Sequence, residues 1–173
     1  MASTSAPTPS HESSVLARPP VRQSTIVRSD VDHTFDAFVR MIGAWWPVEP
    51  LSVGKGRVRD VTVDQRLGGR VYETWDDCTT MDWGEVLAWE PPSRFVMSWL
   101  HTPAPTEVEI AFTALGPGLT RVAVEHRGWE HLTERQLRED CAAPGGYRSG
   151  RYSEGWLLAL ERFAGSVGPA GGR

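Results

Sequence analysis

Six short segments in the middle of the chain have the composition and spacing of strands, and the last three of them alternate large apolar residues with polar ones. They span residues 58–63, 70–75, 81–89, 94–101, 107–114 and 119–127. Alternation with a period of two is typical of β-strands with one buried face, because successive side chains point to opposite sides of a sheet. Turn residues such as Gly116-Pro117-Gly118 separate the segments. Six successive strands joined by short turns predict an antiparallel meander.

One strongly amphipathic helix follows the strands, at about residues 152–164. Tyr152, Trp156, Leu160 and Phe163 recur there at helical spacing and form a single apolar face. A half-open sheet needs a cover for its apolar face, and no other segment is long and apolar enough to provide one. We therefore predict an α+β fold of the helix-grip kind, in which a curved antiparallel β-sheet wraps around a long C-terminal helix.

Two elements precede the meander. Residues 22–28 favour a strand, and Ser29 and Asp30 offer the side-chain oxygens that cap the N-terminus of a helix. The apolar stripe of that helix runs to Ile42, and Pro47 marks the end of the helical region. The predicted order is therefore one strand, one helix, six strands and the C-terminal helix.

The two ends of the chain differ in composition from the middle. Residues 1–20 are rich in Ser, Thr, Pro and Ala, and residues 167–173 are rich in Gly. Such segments have little apolar surface to bury, which is typical of flexible tails. We predict one folded domain at residues 21–166 between two tails.

Charge and composition argue against several classes of function. The formal net charge is −4 and the pI is about 5.7, so the chain has no basic excess with which to neutralise nucleic-acid phosphates. No apolar run reaches the length of a membrane span, and residues 1–20 contain no apolar signal-peptide core. Cys78 and Cys141 lie far apart, without metal-ligand spacing. We expect a cytoplasmic protein that contacts neither nucleic acid nor membrane.

Several local motifs resemble a known family. The most specific motif is a run that contains Trp83-Gly84-Glu85-Val86, Pro91-Pro92, Arg94 and Ser98-Trp99. Further matches are Trp45-Trp46-Pro47, Gly68-Gly69-Arg70, Thr106-Glu107-Val108-Glu109-Ile110, Thr120-Arg121-Val122, Glu125-His126-Arg127-Gly128-Trp129 and Gly155-Trp156. Over about residues 22–166 the chain resembles the SRPBCC superfamily of START and Bet v 1-like proteins. Within it the chain is most similar to the branch named for the C-terminal domain of the heat-shock-protein-90 ATPase activator homologue.

This resemblance implies the helix-grip, START-like fold with a cavity between the sheet and the last helix. Relatives include lipid carriers, polyketide aromatase/cyclases, hormone receptors, hydrolase-like enzymes and co-chaperone domains, so the fold alone does not select a function. The co-chaperones of this branch carry an additional N-terminal domain, which residues 1–20 are too short to form. That difference weighs against a chaperone-associated role.

Eight tryptophans in 173 residues make these side chains the main candidates for a ligand-binding surface. Each supplies a large apolar ring and one N–H donor. Core packing explains any single tryptophan, whereas the whole set favours an aromatic pocket. We predict a ligand site lined by Trp45, Trp46, Trp75, Trp83, Trp99, His101, His126, Tyr152 and Trp156.

Three titratable side chains are candidate catalytic residues in the same cavity. His101 and His126 fall on the apolar faces of their strands by alternation, and Glu73 shares a face with Val71 and Trp75. Imidazole titrates near neutral pH, and a buried carboxylate can act as a base. The alternative is that the histidines are hydrogen-bonded structural residues and that the carboxylate is solvated or salt-bridged. Metal-ligand, serine-hydrolase and nucleotide-binding motifs are missing from the sequence, so we expect no metal and no cofactor.

Three functional hypotheses stay open at this point. The first is binding of a small hydrophobic molecule, aromatic or polyketide-like, between the sheet and the C-terminal helix. The second is a cyclase-, dehydratase- or hydrolase-type enzyme that acts in the same cavity. The third is a chaperone-associated protein-interaction domain. The sequence does not decide between a monomer and a homodimer.

Overall fold

Seven strands and five α-helices are present in the residues that the computed structural model describes, 18–139 and 146–168. The strands are β1 (Val21–Val27), β2 (Val58–Val63), β3 (Arg70–Trp75), β4 (Thr80–Glu90), β5 (Arg94–Trp99), β6 (Thr106–Gly116) and β7 (Leu119–Arg127). The helices are α1 (Val31–Arg40), α2 (Ile42–Trp45), α3 (Val48–Leu51), α4 (Glu134–Glu139) and α5 (Arg151–Ser166). Strands β2, β3 and β7 have the bounds that the sequence predicts.

Parts of the two predicted tails, and Cys141, lie outside the described residues. Residues 18–20 and 167–168 are described. Arg18 donates from Nη1 to the carbonyl oxygen of Trp129 at 3.2 Å. Contacts with the domain therefore begin before β1.

The seven strands form one antiparallel sheet in the order β1-β7-β6-β5-β4-β3-β2. The meander predicted from β2 to β7 is confirmed, and β1 extends it by pairing with β7 over its whole length. Alternation then decides which side chains are buried. In β7 the buried residues are Thr120, Val122, Val124 and His126.

Helix α5 packs on the buried face of the sheet. Its buried residues are Tyr152, Trp156, Ala159, Leu160 and Phe163. Burial of Leu160 and Phe163 contributes roughly 2 kcal/mol each to stability. At the edge of the sheet, Gln23 of β1 donates from Nε2 to Ser153 Oγ at 2.8 Å. The predicted α+β helix-grip fold is confirmed.

Helix α1 begins where the sequence predicts, because Asp30 caps it. The Asp30 carboxylate accepts a hydrogen bond from the His33 backbone N–H at 2.8 Å. The helix ends at Arg40, and α2 then continues the chain from Ile42. The single predicted apolar stripe is therefore divided between two helices.

Five phenylalanine rings pack together in the half of the core next to α1. We call Phe35, Phe38, Phe95, Phe112 and Phe163 the phenylalanine cluster. Phe38 contacts Phe112 and Phe163 with ring centroids 5.4 and 4.9 Å apart. Such edge-to-face contacts add about 0.5–1.5 kcal/mol to the effect of area burial. The cluster joins α1, β5, β6 and α5 into one core.

The opposite face of the sheet carries charges. Arg94 of β5 and Arg127 of β7 both bind Glu109 of β6, at 3.2 and 3.0 Å. Surface ion pairs of this kind contribute about 0–1 kcal/mol each. Their main effect is to make this face hydrophilic, so that the strands have one charged and one apolar side.

Gly84 of β4 allows a close approach of β5. A Cβ at this position would overlap the carbonyl oxygen of Ser98. We predict that Gly84→Ala destabilises the domain by about 3 kcal/mol, near the upper end for overpacking, because two backbones must separate. The control is Gly116→Ala, since a Cβ there meets no atom within 4 Å. Urea unfolding measures the free energy of unfolding of both variants. Equal stabilities would contradict the close approach of β4 and β5 at Gly84.

Candidate functional site

A second group of rings fills the other half of the core, between β4, β5 and α5. We call Trp46, Trp83, Trp99 and Trp156 the tryptophan cluster. Taken in that order, and back to the first, neighbouring ring centroids lie 4.7, 5.9, 5.7 and 6.0 Å apart. All four side chains are buried, with at most 7% of their surface exposed. The structure thus brings together four residues that the sequence assigns to the ligand site.

A fully buried carboxylate lies beside this cluster. Glu73 of β3 has 0% of its surface exposed. Its Oε1 accepts hydrogen bonds from the Gly54 backbone N–H at 2.6 Å and from Trp75 Nε1 at 2.7 Å. Its Oε2 accepts one from Trp83 Nε1 at 3.1 Å. Neutral N–H groups replace water here, and this offsets part of the cost of burying the carboxylate.

No Arg, Lys or His nitrogen lies within 4 Å of the Glu73 carboxylate in the described part of the chain. The alternative reading of Glu73 as a solvated or salt-bridged surface residue therefore does not describe this side chain. In contrast, Glu85 of β4 is exposed.

Two polar atoms in this region are buried and have no hydrogen-bond partner among residues 18–139 and 146–168. They are Nε1 of Trp99 and Nε2 of His101, and the two rings are 5.7 Å apart. Burial lowers the pKa of His101, and the nearby Glu73 carboxylate opposes part of that shift. The imidazole is therefore neutral at neutral pH. Buried polar groups in proteins are nearly always hydrogen-bonded, so two open positions on neighbouring rings are unusual.

His126 differs from His101 because both of its ring nitrogens are engaged. Trp156 Nε1 donates to His126 Nδ1 at 3.2 Å, and His126 Nε2 lies 2.8 Å from Thr106 Oγ1. Since Nδ1 accepts, the ring proton resides on Nε2, which donates to Thr106. The Thr106 hydroxyl in turn lies 3.2 Å from Thr102 Oγ1. These bonds favour the structural alternative for His126.

The burial of His126 makes stability depend on pH. Desolvation lowers the pKa of His126 to about 3, whereas a histidine in the unfolded chain titrates near 6.5. Below about pH 6.5 the unfolded state therefore binds a proton that the folded state excludes. We predict that His126 lowers stability by up to about 1.4 kcal/mol for each pH unit between about 6.5 and 3.

The variant His126→Gln removes this titration. Urea unfolding of wild type and variant between about pH 7 and pH 5 should show a shallower decline for His126→Gln. Parallel curves for the two proteins would contradict the prediction.

Two further predicted residues lie at the margin of the tryptophan cluster. Trp75 reaches it through the hydrogen bond to Glu73, and the Arg57 guanidinium lies 4.1 Å from the centroid of the Trp75 ring. The ring of Tyr152 packs 5.3 Å from that of His126. Trp75 and Tyr152 therefore contact residues next to the tryptophan cluster, Glu73 and His126, and are not members of it.

Trp45 lies apart from the other predicted site residues. Its ring packs 4.6 Å from that of Phe38, and its Nε1 donates to the Phe38 carbonyl oxygen. It therefore belongs with the phenylalanine cluster, although its ring also meets Trp46 at 5.9 Å.

The sequence prediction missed two residues that hold the site together. The ring centroid of Trp129 lies 4.4 Å from that of His126, with the rings tilted, and Trp129 Nε1 donates to the His126 carbonyl oxygen at 2.7 Å. Thr106 is buried next to Val108 in the alternation of β6. Extending that alternation by one residue toward the N-terminus would have found Thr106, whereas Trp129 follows the last strand and no periodic pattern includes it.

The four rings of the tryptophan cluster are buried and contact one another between the sheet and the helix. Three pockets lined by described residues open on the surface instead, and none of them has a residue of the tryptophan cluster in its lining. One of about 580 Å³ lies between α1 and the turn after β4, and His33 and Trp89 contribute to it. A ligand at the tryptophan cluster must therefore part rings that are in contact.

Within the described ranges, no three His, Cys, Asp or Glu side chains come together in a way that could hold a metal ion. No helix there is both long enough and apolar enough to cross a bilayer.

Residues 30–167 match the family model described as Activator of Hsp90 ATPase homolog 1-like protein. The match covers most of the chain, so the chain belongs to this family and has an SRPBCC-type fold. The resemblance drawn from the sequence motifs is confirmed. A comparison with curated proteins gives no match.

Several solved structures share the fold. An anthrahydroquino-gamma-pyrone synthase, Txn09, is 26% identical with a TM-score of 0.53, over 87% of this chain and 97% of that chain. Protein MLL2253 from Mesorhizobium loti is 19% identical with a TM-score of 0.58, over 84% and 94%. CalC from Micromonospora echinospora, a self-sacrificing resistance protein, is 23% identical with a TM-score of 0.57, over 85% and 92%. At such identities MLL2253 and CalC show the fold alone.

Proposed function

We propose that the chain binds a small apolar molecule, aromatic or polyketide-like, at the tryptophan cluster between the sheet and α5. The observation that carries this proposal is the pair of buried, unpartnered atoms, Trp99 Nε1 and His101 Nε2. They offer a donor and an imidazole nitrogen to the polar edge of a ligand whose body the indole rings surround. A mostly apolar lining with a few convergent polar groups is typical of small-molecule sites.

Core packing accounts for the phenylalanine cluster better than for the tryptophan cluster. A buried N–H without a partner costs about 1–3 kcal/mol. A phenylalanine at position 99 would fill much of the same space without that cost. A ligand that accepts a hydrogen bond from Trp99 explains why an indole is present instead.

The similarity to Txn09 supports an aromatic ligand. That protein is a synthase whose name describes a fused aromatic product. The two chains belong to one structural group at 26% identity, which supports a class of ligand and not a particular compound.

Access to the site requires part of the domain to move. We call residues 46–57 the cover segment; it contains the one-turn helix α3 and a short turn at Lys55–Arg57. The bond from Gly54 N–H to Glu73 attaches it to the sheet, and Trp46 Nε1 donates to Ser52 Oγ at 3.2 Å within it. Segments without long regular structure open most readily. We expect a ligand to reach the cluster by displacing this segment.

The proposal predicts that the indole N–H of Trp99 contributes to affinity. Trp99→Phe keeps an aromatic ring and removes the donor, so binding of a hydroxyanthraquinone probe should weaken by about 3- to 10-fold. The matched control is Trp89→Phe, because Trp89 packs on Phe35 and Phe95 away from the site. Isothermal titration calorimetry measures the affinity of wild type, Trp99→Phe and Trp89→Phe for the probe.

Two results would count against the binding proposal. The first is that no compound from a panel of aromatic and acyl molecules forms a complex with wild type in native mass spectrometry. The second is that Trp89→Phe lowers affinity for the probe as much as Trp99→Phe does.

A second candidate function is a cyclase-, dehydratase- or hydrolase-type enzyme at the same place. It is favoured by His101, whose neutral imidazole has an unpartnered Nε2 and lies in the field of the buried Glu73 carboxylate. Such an imidazole can accept a proton from a bound substrate. Mass spectrometry of the compounds bound to the protein, recorded after incubation with the aromatic and acyl panel, tests whether a bound compound is converted. Product formed by wild type but not by His101→Phe, with binding retained, would favour an enzyme over a carrier.

A further inference from the structure

We propose that the ligand of this site carries an ammonium group, and that Glu73 and the tryptophan cluster select it. This inference rests on the proposed binding site and adds the charge of its ligand. It starts from Glu73, a fully buried carboxylate whose three hydrogen bonds all come from neutral donors.

The protein supplies no counter-ion at this carboxylate within the part of the chain that the structure describes. A buried charge without a counter-ion is costly, and hydrogen bonds from neutral groups offset only part of that cost. The nearby basic residues stay outside: Lys55 and Arg57 are exposed, and Arg57 stacks on Trp75. A positive charge from a ligand would complete the site.

The carboxylate also has hydrogen-bonding capacity left for a ligand. Each carboxylate oxygen can accept about two hydrogen bonds. Oε1 of Glu73 accepts two, whereas the one bond found for Oε2 comes from Trp83. An ammonium group provides N–H donors for the remaining position.

The surrounding side chains favour a cation as well. Trp83 belongs to a closed cycle of four indoles, and the faces of indole rings attract cations more strongly than those of other aromatic side chains. His101 presents an unpartnered ring nitrogen, which accepts an N–H when the ring proton is on Nδ1. The carboxylate and the imidazole lone pair both offer negative potential, and the N–H of Trp99 is left for an acceptor on the body of the ligand. An amine on an aromatic body fits them, whereas an anionic ligand does not.

The test compares two probes that differ mainly in charge, naphthylmethylamine and naphthylmethanol. Calorimetry uses the full chain at neutral pH, where the amine is protonated. We expect the amine to bind wild type about 10-fold or more tightly than the alcohol. In Glu73→Gln the preference should fall to about 3-fold or less, because the carboxylate is lost. The matched control is Glu85→Gln, an exposed position on β4, which should retain the wild-type preference.

The outcomes separate this inference from the proposed function. Equal or tighter binding of the alcohol to wild type overturns the ammonium proposal and leaves the binding site standing. A preference for the amine that persists in Glu73→Gln overturns it too, because another group then selects the charge. If neither probe nor the hydroxyanthraquinone binds, both proposals fall. The wild-type comparison needs no variant, so the inference can be overturned even where Glu73→Gln does not fold.

Discussion

A buried hydrogen bond from Trp156 Nε1 to His126 Nδ1 links α5 to the sheet, and the polar interactions of the tryptophan half of the core continue from it. The bond requires a neutral imidazole, and it fixes the ring proton on Nε2. That proton then orders the hydroxyl groups of Thr106 and Thr102. These polar atoms add to the apolar packing that holds the helix, and they contribute most while water is excluded. The packing of aromatic rings around them supplies this exclusion.

The fold could be read from the sequence because the forces that decide it are local and periodic. Turn residues and β-rich composition placed β2 and β3 at their observed bounds, and alternation did so for β7, whose face with Val122 and Val124 is buried. The apolar stripe of α5 was found for the same reason. The division of the first helix at Met41 could not be predicted, because the apolar stripe continues through it.

The site could be predicted only in part. Trp46 and Trp45 are neighbours in sequence, yet one joins the tryptophan cluster and the other the phenylalanine cluster. Their directions depend on how α2 ends, which no pattern reveals. The burial of Glu73 was equally hidden, since both faces of β3 carry large residues. Two of its donors, Gly54 and Trp83, come from other parts of the chain and meet it only in the folded domain.

The core has one half built mainly from phenylalanine rings and another half that also holds unpartnered buried polar atoms. The phenylalanine rings join α1, β5, β6 and α5, and the one indole N–H described beside them, that of Trp45, is satisfied by the carbonyl oxygen of Phe38. The tryptophan half holds the groups that a ligand would meet. A lineage with this architecture can exchange residues at one end of the domain and acquire a new ligand while the other end keeps the chain folded. Recognition and foldability would then evolve at different rates within a single small domain.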